Sequence, residues 1–466
     1  MNSDCRDCMQ RKFLNQYPEG TPEEVVKRYQ DAVISLTGQS GAVPTGPEVF
    51  CRVRELRKEL FGEGEMDYTK IKRHFNDLML GMEDELERRV RESDDPLRRA
   101  VQYAMMGNFI DFSALENVEE KRLMELLDRA PEIAVDEECL EHLREQTSSA
   151  GTLTYITDNC GEIVMDKILL RWLKRLNPEL AVTVLLRGGP VANDATMEDA
   201  EQVGLTALGR CIGNGTATDG TVLRIVSREA RESVIFADLI IAKGQANYET
   251  LYGCGHNIFY IFMCKCSLFM DRFSVPQFTG ILTQEDPEIL MNVYADEALL
   301  ERFRFRVPRP EEAGEICGIE KTCFPPNEAC PEAEMYRRVE RIPEQFLIAV
   351  DRNTGVIAGF LDGLASDEKE FRDEFFTDVT LHDPAAQTEF LMGLDVLPQY
   401  RGQGLARELV RLYGIRGQVR GRLKMVLTAH EEKLGMYEKM GFKDLGISGS
   451  VWGGNPWHEM EIRLDR

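Results

Sequence analysis

Two sets of residues in this chain have types and spacing that could do chemistry. In the first, Asp158-Asn159-Cys160-Gly161-Glu162 follows the apolar run TLTYIT. Gly188-Gly189-Pro190 and then Asn193-Asp194 follow VTVLLR, and Lys243-Gly244-Gln245-Ala246-Asn247-Tyr248-Glu249 follows DLIIA. Asp158, Asn159 and Asp194 offer carboxylate and amide oxygens, hard donors that suit Mg²⁺ or Mn²⁺. Lys243 adds a positive charge for phosphate oxygens. A cation beside a phosphate polarises the phosphoryl group, orients an attacking water and lowers its pKa. Asp158 could instead attack phosphorus itself, and the sequence leaves both routes open. Taken singly, each Asp or Asn reads as a helix cap. Three such loops in succession favour a site.

The second set is Arg401-Gly402-Gln403-Gly404-Leu405-Ala406, an R-x-x-G-x-A pattern opening a helix whose apolar face includes Leu405, Leu409, Val410, Leu412 and Tyr413. Small residues there let backbone N–H groups and the helix dipole approach a pyrophosphate. Glycine-rich turns before helices are common, so the context matters. KMVLTAH (424–430) reads as the next strand, and a helix ending Tyr437-Glu-Lys-Met-Gly441-Phe442 follows it. A third, weaker feature is the pair Cys5 and Cys8. One CxxC is half a tetrahedral zinc site, so its readings are a second metal site, a redox pair or a structural helix start.

These residues need elements to hold them. Residues from about 20 to 145 place apolar side chains three and four apart, as in EDELERRVRESDDPLRRAVQYAM, and read as helical. From 151 the pattern becomes short apolar, partly β-branched runs alternating with helical stretches, with IFYIFM (258–263) a further strand. That is the βαβ pattern of a mostly parallel, Rossmann-like sheet with helices on both faces. Ligands of such sheets bind beyond the carboxyl ends of the strands, so the three polar loops should meet in one crevice. Helices beginning at Gly161 and near Thr196 should aim free N–H groups into it. A charged helical stretch near 285–305 marks a boundary, and a second α/β pattern runs to the end. The expected organisation is residues 1–290 (1–150 helical, 151–290 sheet), a linker at 291–304, and a separate α+β domain with a mixed sheet over 305–466.

With 466 residues, two or three domains are the prior. Hydrophobic content of 43% and charged content of 29% are those of a water-soluble globular protein. A net charge of -24 argues against duplex nucleic acid as a partner. No apolar segment reaches the roughly eighteen residues of a membrane helix, and the N-terminus has no signal-peptide stretch. Twelve cysteines then read as reduced thiols in a cytoplasmic protein. Oligomeric state is not legible.

The strings DNCGEIVMDK, RGGPVANDATMEDA, GNGTATDG and ADLIIAKGQANYETL, preceded by DPLRRAVQYAMMGNFIDF and CRDCMQRKF, resemble the successive motifs of the DUF89 family of damage-control phosphatases, in its CxxC-bearing subfamily. The resemblance implies a metal-dependent phosphatase for small phosphorylated metabolites, using Mn²⁺, Mg²⁺, Co²⁺ or Ni²⁺. It makes Asp158, Asn159 and Asp194 metal ligands and Lys243 a phosphate contact, with Asn108, Asp111, Glu162 and Glu249 lining or supporting the pocket. The strand, R-x-x-G-x-A loop, helix, strand and Y-x-x-x-G-F resemble the GNAT N-acetyltransferases. Phe324-Pro325 with Glu328-Ala329, and the closing GGNPWHEMEI, are similar to the arylalkylamine branch. This implies acetyl-CoA held by Val396 and Arg401–Ala406, a small amine as acceptor, and Tyr437 as the acid that protonates the departing thiolate. The branch carries histidines in the strand before the loop, whereas Leu391–Leu397 here has none. Glu328, Asp395 and His430 are the candidate bases, with a chain of waters as the alternative, and an arylalkylamine substrate does not follow. The expectation is a bifunctional enzyme. The alternative is an acetyltransferase whose first half is a non-catalytic metabolite-binding module.

Overall fold

The computed structural model describes residues 3–38, 45–62, 67–109, 124–125, 127–285 and 294–465. The chain forms two compact units, Met1–Tyr252 with His256–Glu285, and Gly253–Gly255 with Asp286–Arg466. No helix among the described residues is long and apolar enough to cross a membrane.

The first unit opens with helices α1 (Ser3–Phe13), α2 (Glu23–Thr37), α3 (Gly46–Phe61), α4 (Thr69–Arg91) and α5 (Pro96–Phe109). Thr45 and Glu48 form a capping box that starts α3. In α4, Phe75, Met79, Met82, Leu86 and Val90 recur every three or four residues and are all buried, the stripe a core-facing helix needs. The chain continues through α6 (Glu137–Ser149), β1 (Thr152–Ile156), α7 (Glu162–Leu176), β2 (Ala181–Leu186), α8 (Met197–Val203) and β3 (Arg210–Gly213). It closes with α9 (Arg228–Ile235), β4 (Leu239–Lys243), α10 (Gln245–Leu251), β5 (Ile258–Met263), α11 (Ser267–Phe273) and β6 (Gly280–Gln284).

Strand order is β3-β2-β1-β4-β5-β6, parallel except for β6. Every residue of β4 and β5 is buried, which explains their unbroken apolar runs: a parallel strand covered on both faces has no solvent side. One core joins α4, α5 and α7 to the sheet through residues such as Met79, Val101, Ile168, Tyr155 and Phe259. Each such side chain contributes about 1.5–3 kcal/mol on burial. The order reverses between β1 and β4, so their carboxyl ends diverge and leave the crevice where ligands of this topology bind.

The second unit runs α12 (Glu297–Arg302), β7 (Phe303–Arg306), α13 (Ala313–Cys323), α14 (Glu332–Arg341), β8 (Phe346–Asp351), β9 (Ile357–Ser366) and β10 (Thr388–Val396). It ends with α15 (Leu405–Val419), β11 (Lys424–Ala429), α16 (Leu434–Glu438), β12 (Lys443–Ile447) and β13 (His458–Arg463). The sheet order is β12-β13-β11-β10-β9-β8-β7, antiparallel except that β10 and β11 are parallel. The mixed sheet agrees with the expectation from sequence. β10 and β11 pair only from Thr388↔Lys424 to Leu391↔Leu427. A register shift against β9 follows between Leu391 and Gly393. Past that bulge the two strands part and leave a wedge between them.

Candidate functional sites

In the first unit, Asp158 and Asn159 leave the end of β1 and meet the loop after β2. Ala195 N–H donates to the Asp158 carbonyl (2.8 Å), Cys160 N–H to the Asn193 carbonyl (2.8 Å), and Asn159 pairs with Asp194 as an isolated antiparallel bridge. The three expected oxygen donors therefore share one end of the switch point. Asn159 Nδ2 donates to Asp158 Oδ2 (2.9 Å) and Glu162 Oε2 (3.0 Å). Asn108, from α5, donates to Asp158 Oδ2 (2.7 Å) and Glu162 Oε2 (3.3 Å), and its own oxygen accepts from Met263 N–H (3.1 Å). Gly244, at φ 83°, passes so close that a Cβ there would stand 2.1 Å from Asp158 Oδ2. Only glycine fits that approach.

Burial, with Asp194 and Glu162 close by, pushes the Asp158 carboxyl up to about 8. Burial likewise raises Asp194 to about 6, against the opposing pull of Arg187. Arg187 is the residue the sequence reading did not single out. It is buried at the end of β2, its Nε donates to Asp194 Oδ2 (2.6 Å), and its Nη2 lies 3.7 Å from Asp158 Oδ1. Nη2 has no hydrogen-bond partner among the described residues. Nη1 reaches Asn247 Oδ1 (3.4 Å), which also accepts from Thr221 (2.8 Å). The available signal was an arginine closing a strand directly before Gly188-Gly189.

Lys243 has a different setting from the one expected. It has no exposed surface, and its ammonium donates to Glu162 Oε1 (2.6 Å), Asp166 Oδ1 (2.6 Å) and the Ala104 carbonyl (2.9 Å). An ammonium has three protons, so these acceptors use all of them. Tyr155 O–H donates to the same Asp166 oxygen (2.8 Å). Lys243 thus neutralises the carboxylates under the crevice instead of turning its charge toward phosphate, and Glu162 supports Asn108, Asn159 and Lys243 together. The helix starts differ from expectation too: Gly161 N–H donates to Asn76 Oδ1 (2.7 Å), and Thr196 N–H to Asp199 (2.8 Å). Neither amide points freely into the site.

Glu249 stands apart from this cluster, half-buried against Gly46 and pushed up to about 7 by burial. The Cys5 thiol is raised to about 11, by burial first and then by Glu249, Cys266 and Cys8. Cys8 is exposed. Among the described residues no group of three or more His, Cys, Asp or Glu side chains could hold a metal ion. Asp158, Asn159 and Asp194 are two carboxylates and an amide, a set outside that description. Asp111 lies outside the described residues.

In the second unit a cavity of about 730 Å³ fills the wedge between β10 and β11. Val396, Arg401, Gly402, Gly404, Leu405 and Ala406 line one part of it. Gly402 and Gly404 take φ 75° and 85°, and nothing lies within 4 Å of where either Cβ would be, so the floor is open backbone leading into α15. Arg401 Nε donates to the Val396 carbonyl (2.8 Å), which anchors the loop to β10. Gln403 turns away to accept from Arg302 (2.5 Å). Tyr437 lines the same cavity, its hydroxyl raised far above its ordinary value, by burial first and then by Asp395. Asp395 is fully buried, its carboxyl strongly raised by that burial and then by Glu320. Among the three candidate bases, Glu328 and His430 reach the cavity. His430 Nε2 sits 3.3 and 3.2 Å from the two Glu328 oxygens.

Comparison with known proteins agrees with both units. The profile of the Acetyltransferase (GNAT) domain matches residues 343–444. A damage-control phosphatase of Pyrococcus horikoshii is 38% identical over 182 residues, which are 38% of this chain and 61% of that protein. A damage-control phosphatase of Archaeoglobus fulgidus is 29% identical over 248 residues, 52% of this chain and 84% of its own. The crystal structure of a DUF89 family protein from Pyrococcus horikoshii superposes with a TM-score of 0.51 at 27% identity, covering 61% of this chain and 99% of that one. The profile of the Damage-control phosphatase ARMT1-like domain matches residues 1–279, more than half of the chain, and the protein belongs to that family.

Proposed function

We propose that this chain is a bifunctional cytoplasmic enzyme. Its first unit is a metal-dependent phosphatase for small phosphorylated metabolites, and its second an acetyl-CoA-dependent N-acetyltransferase for a small amine. The observation that carries the first half is the meeting of Asp158, Asn159 and Asp194 at the sheet's switch point. Their chemistry fits a hard divalent cation: oxygen donors only, two of them buried carboxylates, with Asp158 raised by burial first and then by Asp194. Such a cation, Mn²⁺, Mg²⁺, Co²⁺ or Ni²⁺, would supply Lewis-acid polarisation of the phosphoryl group. The protein's own part is to hold these donors. Arg187 offsets the charge of Asp158 and Asp194, Asn108 and Asn159 fix the Asp158 carboxylate, and Gly244 leaves it room.

The second half rests on the open glycine floor before α15 in one cavity with Tyr437. Backbone amides there suit the CoA pyrophosphate, and the Tyr437 hydroxyl, held protonated by burial, can donate to a leaving thiolate. The experiment for the first half is p-nitrophenyl phosphate hydrolysis with added Mn²⁺, Co²⁺ or Ni²⁺. Asp194→Ala is expected to lower it by at least about 10²-fold, as loss of one electrostatic anchor of a transition state does. Equal rates for the two proteins would leave the first unit a metabolite-binding module beside an active acetyltransferase.

A further inference from the structure

Strand β10 carries no histidine, yet an amine that is an ammonium ion at neutral pH must lose a proton before it attacks a thioester. Two side chains on the opposite wall of the wedge are arranged for that. His430 follows the end of β11, where the strand has parted from β10, and Glu328 follows α13. Both line the cavity with Tyr437 and the glycine floor. Glu328 is fixed from two directions: Asn455 Nδ2 donates to its Oε1 (2.6 Å), and the Trp452 indole N–H donates to its carbonyl (2.7 Å). The turn that brings these groups leaves no space for a side chain at Gly453, where a Cβ would stand 2.6 Å from Glu328 Cγ. His430 lies stacked on Trp457, with ring centroids 3.9 Å apart and planes 25° from parallel. Its Nε2 faces both Glu328 oxygens. A carboxylate only accepts, so Nε2 carries a proton, and in the neutral ring the lone pair is then on Nδ1. Nδ1 has no hydrogen-bond partner among the described residues. A ring held by a carboxylate at one nitrogen and open at the other is the arrangement of an oriented general base.

We infer that Glu328 and His430 are the proton-accepting dyad of the second site, an inference that rests on the acetyltransferase reading given above. His430 Nδ1 takes a proton from the substrate ammonium, and Glu328 stabilises the imidazolium through Nε2–H. The freed nitrogen lone pair forms a bond to the acetyl carbonyl carbon and the carbon–sulfur bond breaks; the thiolate takes the proton of the Tyr437 hydroxyl, and the new amide nitrogen gives its surplus proton to the Tyr437 phenolate. The products are the N-acetylated amine and CoA thiol. The proton on His430 passes to solvent, so ammonium and thioester become amide, CoA thiol and one released proton, and both side chains return to their starting states.

The test uses the full chain and two probe amines of nearly equal shape, phenethylamine and its β,β-difluoro analogue. Fluorine withdraws electron density, so much more of the second amine is already neutral at neutral pH. Acetyl transfer is read as thiol release from acetyl-CoA, with putrescine as a third acceptor for the unaltered protein. His430→Gln and Glu328→Gln are expected to lower kcat/KM for phenethylamine by about 10²-fold or more, the usual scale of general-base catalysis. The loss for the difluoro analogue should be several-fold smaller. Thermal protection of both variants by acetyl-CoA should match the unaltered protein, which separates a lost base from a lost fold. Equal losses for the two amines, or none, would overturn the dyad while leaving acetyl transfer standing. If the unaltered protein acetylates none of the three acceptors, the acetyltransferase reading fails and the dyad with it.

Discussion

A lysine with no exposed surface stays charged only if carboxylates come inside with it. Lys243 meets that condition with Glu162 and Asp166, and their attraction raises its affinity for the proton above the ordinary lysine value despite its burial. Removing one partner of a buried pair strands the other charge, at a cost of about 3–5 kcal/mol. Lys243→Met is therefore expected to lower the unfolding free energy by about that much in urea titration. A phosphate-contacting lysine would instead leave stability nearly unchanged and raise KM. The two outcomes separate the role inferred from the family resemblance from the one the geometry supports. The meeting of Asp158, Asn159 and Asp194 at one end of the sheet was legible because loops that follow neighbouring parallel strands converge beyond their carboxyl ends. The role of Lys243 was not legible. Its position at the end of β4 is plain in the sequence, but the direction of its side chain is set by Asp166, three-dimensionally adjacent and a turn into α7. Arg187 was hidden for the opposite reason: a strand-terminal arginine looks solvent-facing until two carboxylates are seen to enclose it.

At the level of the elements, the periodicities were read correctly where one face is buried, as in α4, and where both are, as in β4 and β5. The parting of β10 from β11 was not readable, since it follows from a bulge at Met392 that no pattern announces. Element packing also buries a histidine outside either site. His382 Nδ1 accepts the Ala365 N–H of β9 (3.1 Å), while its Nε2 is buried with no hydrogen-bond partner among the described residues, 3.7 Å from Glu344 Oε1. Burial pushes its pKa down from 6.5 to about 4, against Glu389 and with help from Arg422 and Arg420. The folded form therefore binds fewer protons than the unfolded chain in that window. The stability tied to the neutral ring is fully present above about pH 6.5 and is lost as pH falls toward 4. His382→Gln, which can accept the same N–H but does not titrate there, is expected to flatten the fall in Tm between pH 6.5 and 4. Parallel curves for the two proteins would mean that the ring protonates without cost.

Over the whole molecule, each unit closes its own core. One cluster, including Met79, Ile168 and Phe259, belongs to the first unit, and another, including Ile316, Met335 and Phe360, to the second. A ligand stabilises the fold that binds it, by about 2.7 kcal/mol at a hundredfold excess over Kd. Two separate cores with two separate sites should therefore answer to two ligands independently. In calorimetry of the full chain, Mn²⁺ is expected to raise one transition and acetyl-CoA another. Gly404→Glu should abolish the acetyl-CoA shift and leave the Mn²⁺ shift intact, because a bulky anion on the open glycine floor repels the pyrophosphate and forces a non-glycine residue to φ 85°. Asp194→Ala should do the reverse. A shift of both transitions by either ligand would show the units to be thermodynamically coupled. In that case a metabolite bound in one site would tune the other, and the fusion would serve regulation as well as shared location.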